Sequence, residues 1–143
     1  MPQLQDLART LFTALDARDY DRLEELVADD CDVVVPGFRG RGPQAYIDWA
    51  RPFCDAFPDL NHTVGALAES GDTVAFELRV AGTHTEPLRT PAGDVPATGR
   101  AVDFHAGDVW RVNDGRIVAL HVYFDQMELL GQLGLLPEPA ATS

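Results

Sequence analysis

The chain has 143 residues, enough for one domain with a hydrophobic core and an internal cavity. Its formal net charge is −12, so nucleic acid and anionic membrane surfaces are excluded as expected partners. All of its basic residues apart from histidine are arginine. The lack of lysine rules out Schiff-base and pyridoxal-phosphate chemistry, and serine occurs only at Ser70 and Ser143, outside any Gly-x-Ser-x-Gly setting.

Metal ligands and cofactor motifs follow no recognisable spacing either. The four histidines, His62, His84, His105 and His121, form no i, i+4 pair and no cluster with cysteine, so we expect no metal and no cofactor. The N-terminus does not read as a signal peptide, and no apolar run is long enough to span a bilayer. We therefore expect a cytoplasmic protein in which Cys31 and Cys54 are free thiols. The functions that remain are acid/base chemistry in an apolar pocket and simple binding of a ligand.

The predicted elements begin with helices and continue with strands. Leucines at helical spacing predict two helices in the first thirty residues, followed by a short strand from Cys31 to Val35. A third helix begins at Gly42-Pro43 and carries Trp49 and Phe53, which could wall a cavity. Alternating apolar residues then predict four strands, at about 60–67, 73–83, 100–112 and 116–124, with a long loop at 86–99.

The last predicted element is a helix that begins after Asp125. Glu128 lies three residues further on, a spacing typical of a capping box, so we interpret Asp125 as a helix cap rather than a catalytic group. Residues 135–143 are predicted to be a loose tail of a single domain that spans 1–143. Helices followed by a strongly twisted antiparallel sheet predict an α+β fold, a cone whose curved sheet wraps over the helices around an apolar pocket.

The hairpin formed by the last two strands determines which side chains share a sheet face. A two-residue turn at Asp114-Gly115 would set Asp108 opposite His121, whereas a three-residue loop at 113–115 with a bulge sets Asp108 beside Val122. A one-residue slip exchanges the two faces, so the pattern of apolar residues can decide between them. The three-residue loop separates apolar from polar residues more cleanly, and we favour it.

In that register, Asp108 is the one carboxylate on an otherwise apolar face. Burial raises the pKa of a carboxyl group, which suits a general acid or base, although a buried Asp can also serve only to order a neighbouring loop. The opposite face is polar and is either solvated or a homodimer interface, and we expect a homodimer. It carries Glu77, Arg79, His105, Arg111 and His121.

Five short motifs, in order along the chain, resemble the SnoaL-like polyketide cyclases, or ester cyclases, of the ketosteroid-isomerase-like cone-fold superfamily. The motifs are Phe57-Pro-Asp-Leu60, Gly82-Thr-His-Thr85, Pro96-Ala-Thr-Gly-Arg100, Asp108-Val-Trp-Arg-Val-Asn-Asp-Gly-Arg-Ile117 and Leu129-Leu-Gly-Gln-Leu-Gly134. The resemblance implies a cofactor-free enzyme that closes a ring on an aromatic polyketide by intramolecular aldol condensation.

The resemblance also implies a catalytic Asp on the last strand and a His on the strand before it. Those positions match Val122 and Asp108, so the last-strand carboxylate is absent here and the partner strand supplies one. Asp108 could have taken over as the acid/base. Alternatively, the pocket serves another acid/base reaction, such as isomerisation, dehydration, hydroxylation or epoxide opening, or the protein binds a small molecule without catalysis. A purely structural association domain is a further alternative.

Two further predictions concern the pocket. His84 lies on the buried side of its strand and could donate a hydrogen bond to a substrate carbonyl at the pocket mouth, although it could equally order its loop. The hydrophobic small-molecule substrate would contact an apolar wall. With Trp49 and Phe53, that wall is predicted to contain Phe104, Trp110, Leu120, Val122 and Phe124.

Overall fold

The computed structural model describes residues 4–136, which form four helices and eight strands. The helices are α1 (Leu4–Asp16), α2 (Tyr20–Leu26), α3 (Gly42–Ala56) and α4 (Gln126–Gln132). The strands are β1 (Val27–Val35), β2 (Phe38–Arg41), β3 (Asn61–Ser70), β4 (Thr73–Thr83), β5 (Leu88–Thr90), β6 (Gly93–Val95), β7 (Ala101–Asn113) and β8 (Arg116–Phe124). Each predicted helix and strand is present, and β2, β5 and β6 are additional.

Six strands form one curved sheet in the order β2-β1-β8-β7-β4-β3. All neighbours are antiparallel except β1 and β8, which run parallel and differ from the all-antiparallel sheet that was predicted. Register shifts occur in the β1–β8, β3–β4 and β7–β8 pairs, and such bulges bend a sheet. The short β5–β6 ribbon lies inside the segment predicted to be a long loop.

The helices cover the concave face of this sheet because their apolar residues recur every three or four positions. In α1, Leu7, Leu11 and Leu15 are buried on one stripe, and α3 buries Tyr46 and Ala50 in the same way. These side chains join the inward residues of the strands in one hydrophobic cluster. The result is the predicted α+β cone. No helix in the described part of the chain is long and apolar enough to cross a membrane.

The turn of the β7–β8 hairpin differs from the prediction. Asn113 pairs with Arg116, so the turn contains only Asp114 and Gly115, which have positive φ angles of 52° and 75°. Two consecutive left-handed residues are typical of the tight turn that suits a twisted hairpin. The three-residue loop predicted at 113–115 is therefore wrong.

The predicted partner of Asp108 is nevertheless confirmed, because a bulge corrects the register. Arg111 pairs with Ala119 but Val112 pairs with Ile117, which leaves Val118 as an extra residue in β8. This single insertion shifts the ladder by one position, and Asp108 consequently lies opposite Val122 instead of His121.

The C-terminal helix confirms the role predicted for Asp125. Its carboxylate accepts hydrogen bonds from the backbone N–H groups of Met127 and Glu128 at 2.9 and 3.3 Å, which caps α4. Both cysteines are free and buried, as predicted. Of the predicted tail at 135–143, only Leu135 and Leu136 lie within the described residues.

Candidate active site

A cavity lies between helices α1 and α3 and the concave face of the sheet. The volume inside it that the centre of a water molecule can reach is about 70 Å³. Nearly all of its lining is apolar, and its polar groups are Tyr46, Cys54, His62 and Asp108. The rest of the lining consists of Phe12, Leu15, Trp49, Ala50, Phe53, Phe57, Leu60, Leu78, Val80, Val102, Phe104, Ala106, Val122, Phe124 and Leu129.

Asp108 lies near the middle of β7, between Phe76 of β4 and Val122 of β8, and is only 2% exposed. Its Oδ2 accepts a hydrogen bond from the indole N–H of Trp110 at 3.1 Å. Its Oδ1 is buried and has no hydrogen-bond partner among the described residues. Burial raises the pKa of Asp108 to about 7, and the Trp110 hydrogen bond opposes this only in part. The carboxyl group can therefore exchange a proton near neutral pH.

Trp110 supports the carboxylate instead of lining the cavity as predicted. It is completely buried, and its ring packs edge-on against Phe76 at 5.0 Å and stacks with Phe12 at 6.0 Å. Leu120, its partner on β8, is also completely buried and does not line the cavity. Both were predicted from strand parity. Parity gives the face of the sheet but cannot distinguish the cavity surface from the packed core beneath the helices.

The other predicted wall residues do line the cavity, and four of them form a connected aromatic wall. Trp49 contacts Phe53 at 5.8 Å and Phe124 at 6.2 Å between ring centroids. Phe104 continues the series, with its ring 5.4 Å from that of Phe124. With Val122, these residues run from α3 onto the sheet and present the kind of surface that suits a flat apolar molecule.

His84 is fully buried but does not line the cavity, because its ring stacks behind Phe57 at 5.0 Å. Its Nδ1 accepts a hydrogen bond from the backbone N–H of Thr98 at 3.2 Å. Its backbone also exchanges hydrogen bonds with Gly99 and Arg100. Burial lowers the pKa of the imidazole. The position favours the structural role, in which His84 orders the loop before β7, over the predicted catalytic one.

Two polar residues of the cavity were not singled out from the sequence. His62 of β3 bonds through Nδ1 to Asp16 Oδ1 at 2.6 Å, and its backbone N–H donates to Asp16 Oδ2 at 3.0 Å. Tyr46 of α3 is 2% exposed, and burial, helped by the nearby Asp108 carboxylate, raises its pKa well above the usual value. The inward parity of His62 could have been a signal, but nothing local connects it with a residue 46 positions away.

Arg18 fixes the geometry around His62. Its guanidinium donates hydrogen bonds to backbone carbonyls at the end of α1, at the end of α3 and at the start of β3. A cation there also complements the negative ends of both helix dipoles. The end of α1, which carries Asp16, is consequently held against the strand that carries His62.

The residues described contain no group of three or more His, Cys, Asp or Glu side chains arranged to hold a metal ion. A curved sheet wrapped over helices around an apolar cavity is the fold of the ketosteroid-isomerase-like cone-fold proteins. Within that class, residues 5–133 match the family model of the SnoaL-like polyketide cyclases. The chain belongs to that family.

Solved structures agree with this family. IdmH from Streptomyces antibioticus, a proposed polyketide cyclase, is 29% identical with a TM-score of 0.79, over 93% of this chain and 99% of IdmH. A proposed SnoaL-like cyclase from Jannaschia sp. CCS1 is 20% identical with a TM-score of 0.79, over 92% of both chains. AclR from Streptomyces galilaeus, a proposed hydroxylase, is 23% identical with a TM-score of 0.78, over 93% of this chain and 96% of AclR. No curated protein sequence matches the chain.

Proposed function

We propose that the protein is a cofactor-free cyclase that closes a ring on a hydrophobic, aromatic polyketide-type molecule, with Asp108 as the general base. The observation that carries this proposal is the unpartnered Oδ1 of a buried carboxyl group in an apolar cavity. Membership of the SnoaL-like polyketide cyclase family supports the reaction class.

The chemistry requires a base that is stronger than an ordinary carboxylate. Asp108 takes a proton from a carbon flanked by carbonyl groups, and the resulting enolate attacks a second carbonyl carbon of the same molecule. A carbon–carbon bond forms as the C=O double bond of the attacked carbonyl becomes a single bond, and its oxygen takes up a proton, which Asp108 returns directly or through water. With its pKa near 7, Asp108 is both substantially ionised at neutral pH and a better proton acceptor than a solvated Asp.

The departure from the family pattern is compatible with this role. The resemblance implies a catalytic Asp at the position of Val122, and Asp108 is the direct cross-strand partner of Val122. Side chains that face each other across an antiparallel pair have their Cβ atoms about 5 Å apart. The carboxylate of this chain is therefore on the neighbouring strand, at the same level of the cavity as the position that the family resemblance implies. A substrate bound about 5 Å to that side would contact it.

A pH–rate profile on an aromatic β-ketoester that also carries a ketone as the acceptor carbonyl, with the product identified by mass spectrometry and NMR, tests the proposal. Because Asp108 must be ionised to act as a base, kcat/KM is expected to fall about tenfold per pH unit below a bend near pH 7 and to level off above it. A profile without this bend, or one that falls as the pH rises through 7, would contradict the role of Asp108 as base.

A second candidate function is non-catalytic binding of a hydrophobic small molecule. It is favoured by Val122 at the position where the family resemblance implies a carboxylate, and by the almost entirely apolar lining. Non-catalytic binding and cyclisation predict different results when the ligand is added. The ligand would raise the melting temperature without being converted, and Asp108→Ala would leave its affinity nearly unchanged.

We also propose that two copies associate through the convex face of the sheet. Tyr123 of β8 and Val109 of β7 lie near each other there, and they are 54% and 38% exposed. Large exposed apolar groups on a sheet face are typical of an interface. Sedimentation velocity is expected to show a dimer that Tyr123→Glu dissociates, whereas Phe38→Glu, at another exposed aromatic residue, leaves it intact. A monomeric wild-type protein at micromolar concentration would disprove the dimer.

A further inference from the structure

His62 has a ring nitrogen that the proposed proton transfer does not use. Nδ1 is engaged with Asp16, and because an ionised carboxylate only accepts hydrogen bonds, Nδ1 carries a proton in this contact. When the ring is uncharged, Nε2 is an acceptor. It makes no hydrogen bond to any of the residues in the described part of the chain, and the His62 ring forms part of the cavity lining.

His62 and Asp108 line the cavity from β3 and β7, two strands apart in the sheet. Asp108 pairs with Phe76 of β4, and His62 pairs with Val80 on the other side of the same strand. Four residues along a strand correspond to about 13 Å, and two strand spacings to about 10 Å. The two positions are therefore about 16 Å apart along the sheet, and the inward direction of both side chains on a curved sheet brings their polar ends closer together.

The surface between these two polar groups is apolar. Leu78 and Val80 of β4 line the cavity there, and the ring of Phe12 stacks on His62 at 5.1 Å. A ligand that reaches from one group to the other must therefore be hydrocarbon along its length and polar at both ends. A flat fused-ring aromatic system with polar substituents at its two ends has this shape.

We propose that His62, oriented by Asp16, accepts a hydrogen bond from a phenolic hydroxyl group at the end of the ligand remote from Asp108. This inference rests on the proposed function, and it narrows the substrate class to fused-ring aromatics with a hydroxyl far from the acidic carbon. His62 then determines which substrate binds and in which direction, while Asp108 moves the proton. A methyl ether at the same place cannot donate and should lose the contact.

The test uses 2-acetylnaphthalene and its 6-hydroxy and 6-methoxy derivatives, whose acetyl and oxygen substituents lie at opposite ends of the ring system. Affinities measured by fluorescence titration need no turnover. The wild-type protein is expected to bind the hydroxy compound about tenfold more tightly than the methoxy compound, the size of one hydrogen bond. In His62→Phe, which can keep the stacking on Phe12, this preference should disappear while 2-acetylnaphthalene binds as before.

His121 provides a matched control. It also pairs with an aspartate, Asp32, at 3.1 Å, but it does not line the cavity, so His121→Phe should keep the full preference. Asp16→Ala provides a second variant should His62→Phe not fold, and it should weaken the preference by removing the acceptor that holds Nδ1.

Three results would overturn the inference: no preference for the hydroxy compound in the wild-type protein, the same preference in His62→Phe, or no binding of any compound in the series. None of them bears on whether Asp108 is the base, because that assignment depends on turnover and its pH profile. Conversely, if Asp108 is not the base, the preference for the hydroxy compound can still be measured in the same way.

Discussion

Asp108→Asn is expected to lower kcat/KM for cyclisation by about 10²- to 10⁴-fold, the usual contribution of a general base. Asn has the shape of Asp, and its side-chain oxygen can still accept the hydrogen bond that the Trp110 indole donates. What is lost is the ability to take a proton. The affinity for a substrate analogue should therefore change much less than the rate, and the comparison of kcat with the binding constant measures the difference.

Asp103→Asn is the matched control for this experiment. Asp103 lies on the same strand, but it is exposed on the convex face, where it pairs with Arg79. Its removal should leave the rate near that of the wild-type protein. If Asp108→Asn retained a near-full rate, Asp108 would not be the base, and non-catalytic binding or another catalytic group would have to be considered.

The second large effect expected is on how stability depends on pH. The free energy of unfolding that Asp108 contributes should fall as the pH rises, whereas that of most carboxylates rises. The pKa of Asp108 is about 7 in the folded protein, whereas an unfolded Asp titrates at about 4. Between these values the folded state holds a proton that the unfolded state has released. The free energy of unfolding contributed by this group is therefore fully present below about pH 4 and is lost as the pH rises to about 7.

The loss amounts to about 4 kcal/mol at most, since each pKa unit corresponds to about 1.4 kcal/mol. Asp108→Asn removes the titration, so its stability relative to the wild-type protein should increase by about 2–4 kcal/mol between about pH 4 and about pH 8. Denaturant unfolding of both proteins across this range, at one protein concentration, measures the difference. Parallel stability curves would show that Asp108 does not titrate in this range.

The difference in the free energy of unfolding between the wild-type protein and Asp108→Asn is more informative than either stability curve alone. Asp32, Asp59 and Asp103 accept hydrogen bonds from His121, Thr83 and Arg79, respectively, and each of these bonds lowers the pKa of its carboxyl group. Their contributions are lost on acidification, which is the opposite trend, and they cancel in the comparison. A protein that is stabilised by losing its buried acid would illustrate how a functional group is kept at a cost in stability.

The sequence by itself determined the fold class and the face on which Asp108 lies. Alternation of apolar and polar residues in β4 and β7 is local, with a period of two, and it requires no knowledge of what packs above the sheet. The same reasoning identified Phe104, Val122 and Phe124 as residues of the wall, and the aromatic residues of the third helix suggested Trp49 and Phe53. The helix cap at Asp125 is equally local.

Only the tertiary structure decided how the ladder of the hairpin is closed and which inward residues reach the cavity. The bulge at Val118 depends on how β8 packs between β1 and β7, so the separation of apolar and polar faces gave the right partner for Asp108 but the wrong loop. Trp110 and His84 are covered by other side chains, whereas His62 is open to the cavity and held by Asp16 from a distant helix. Such contacts depend on the packing of distant elements, about which a local pattern carries no information.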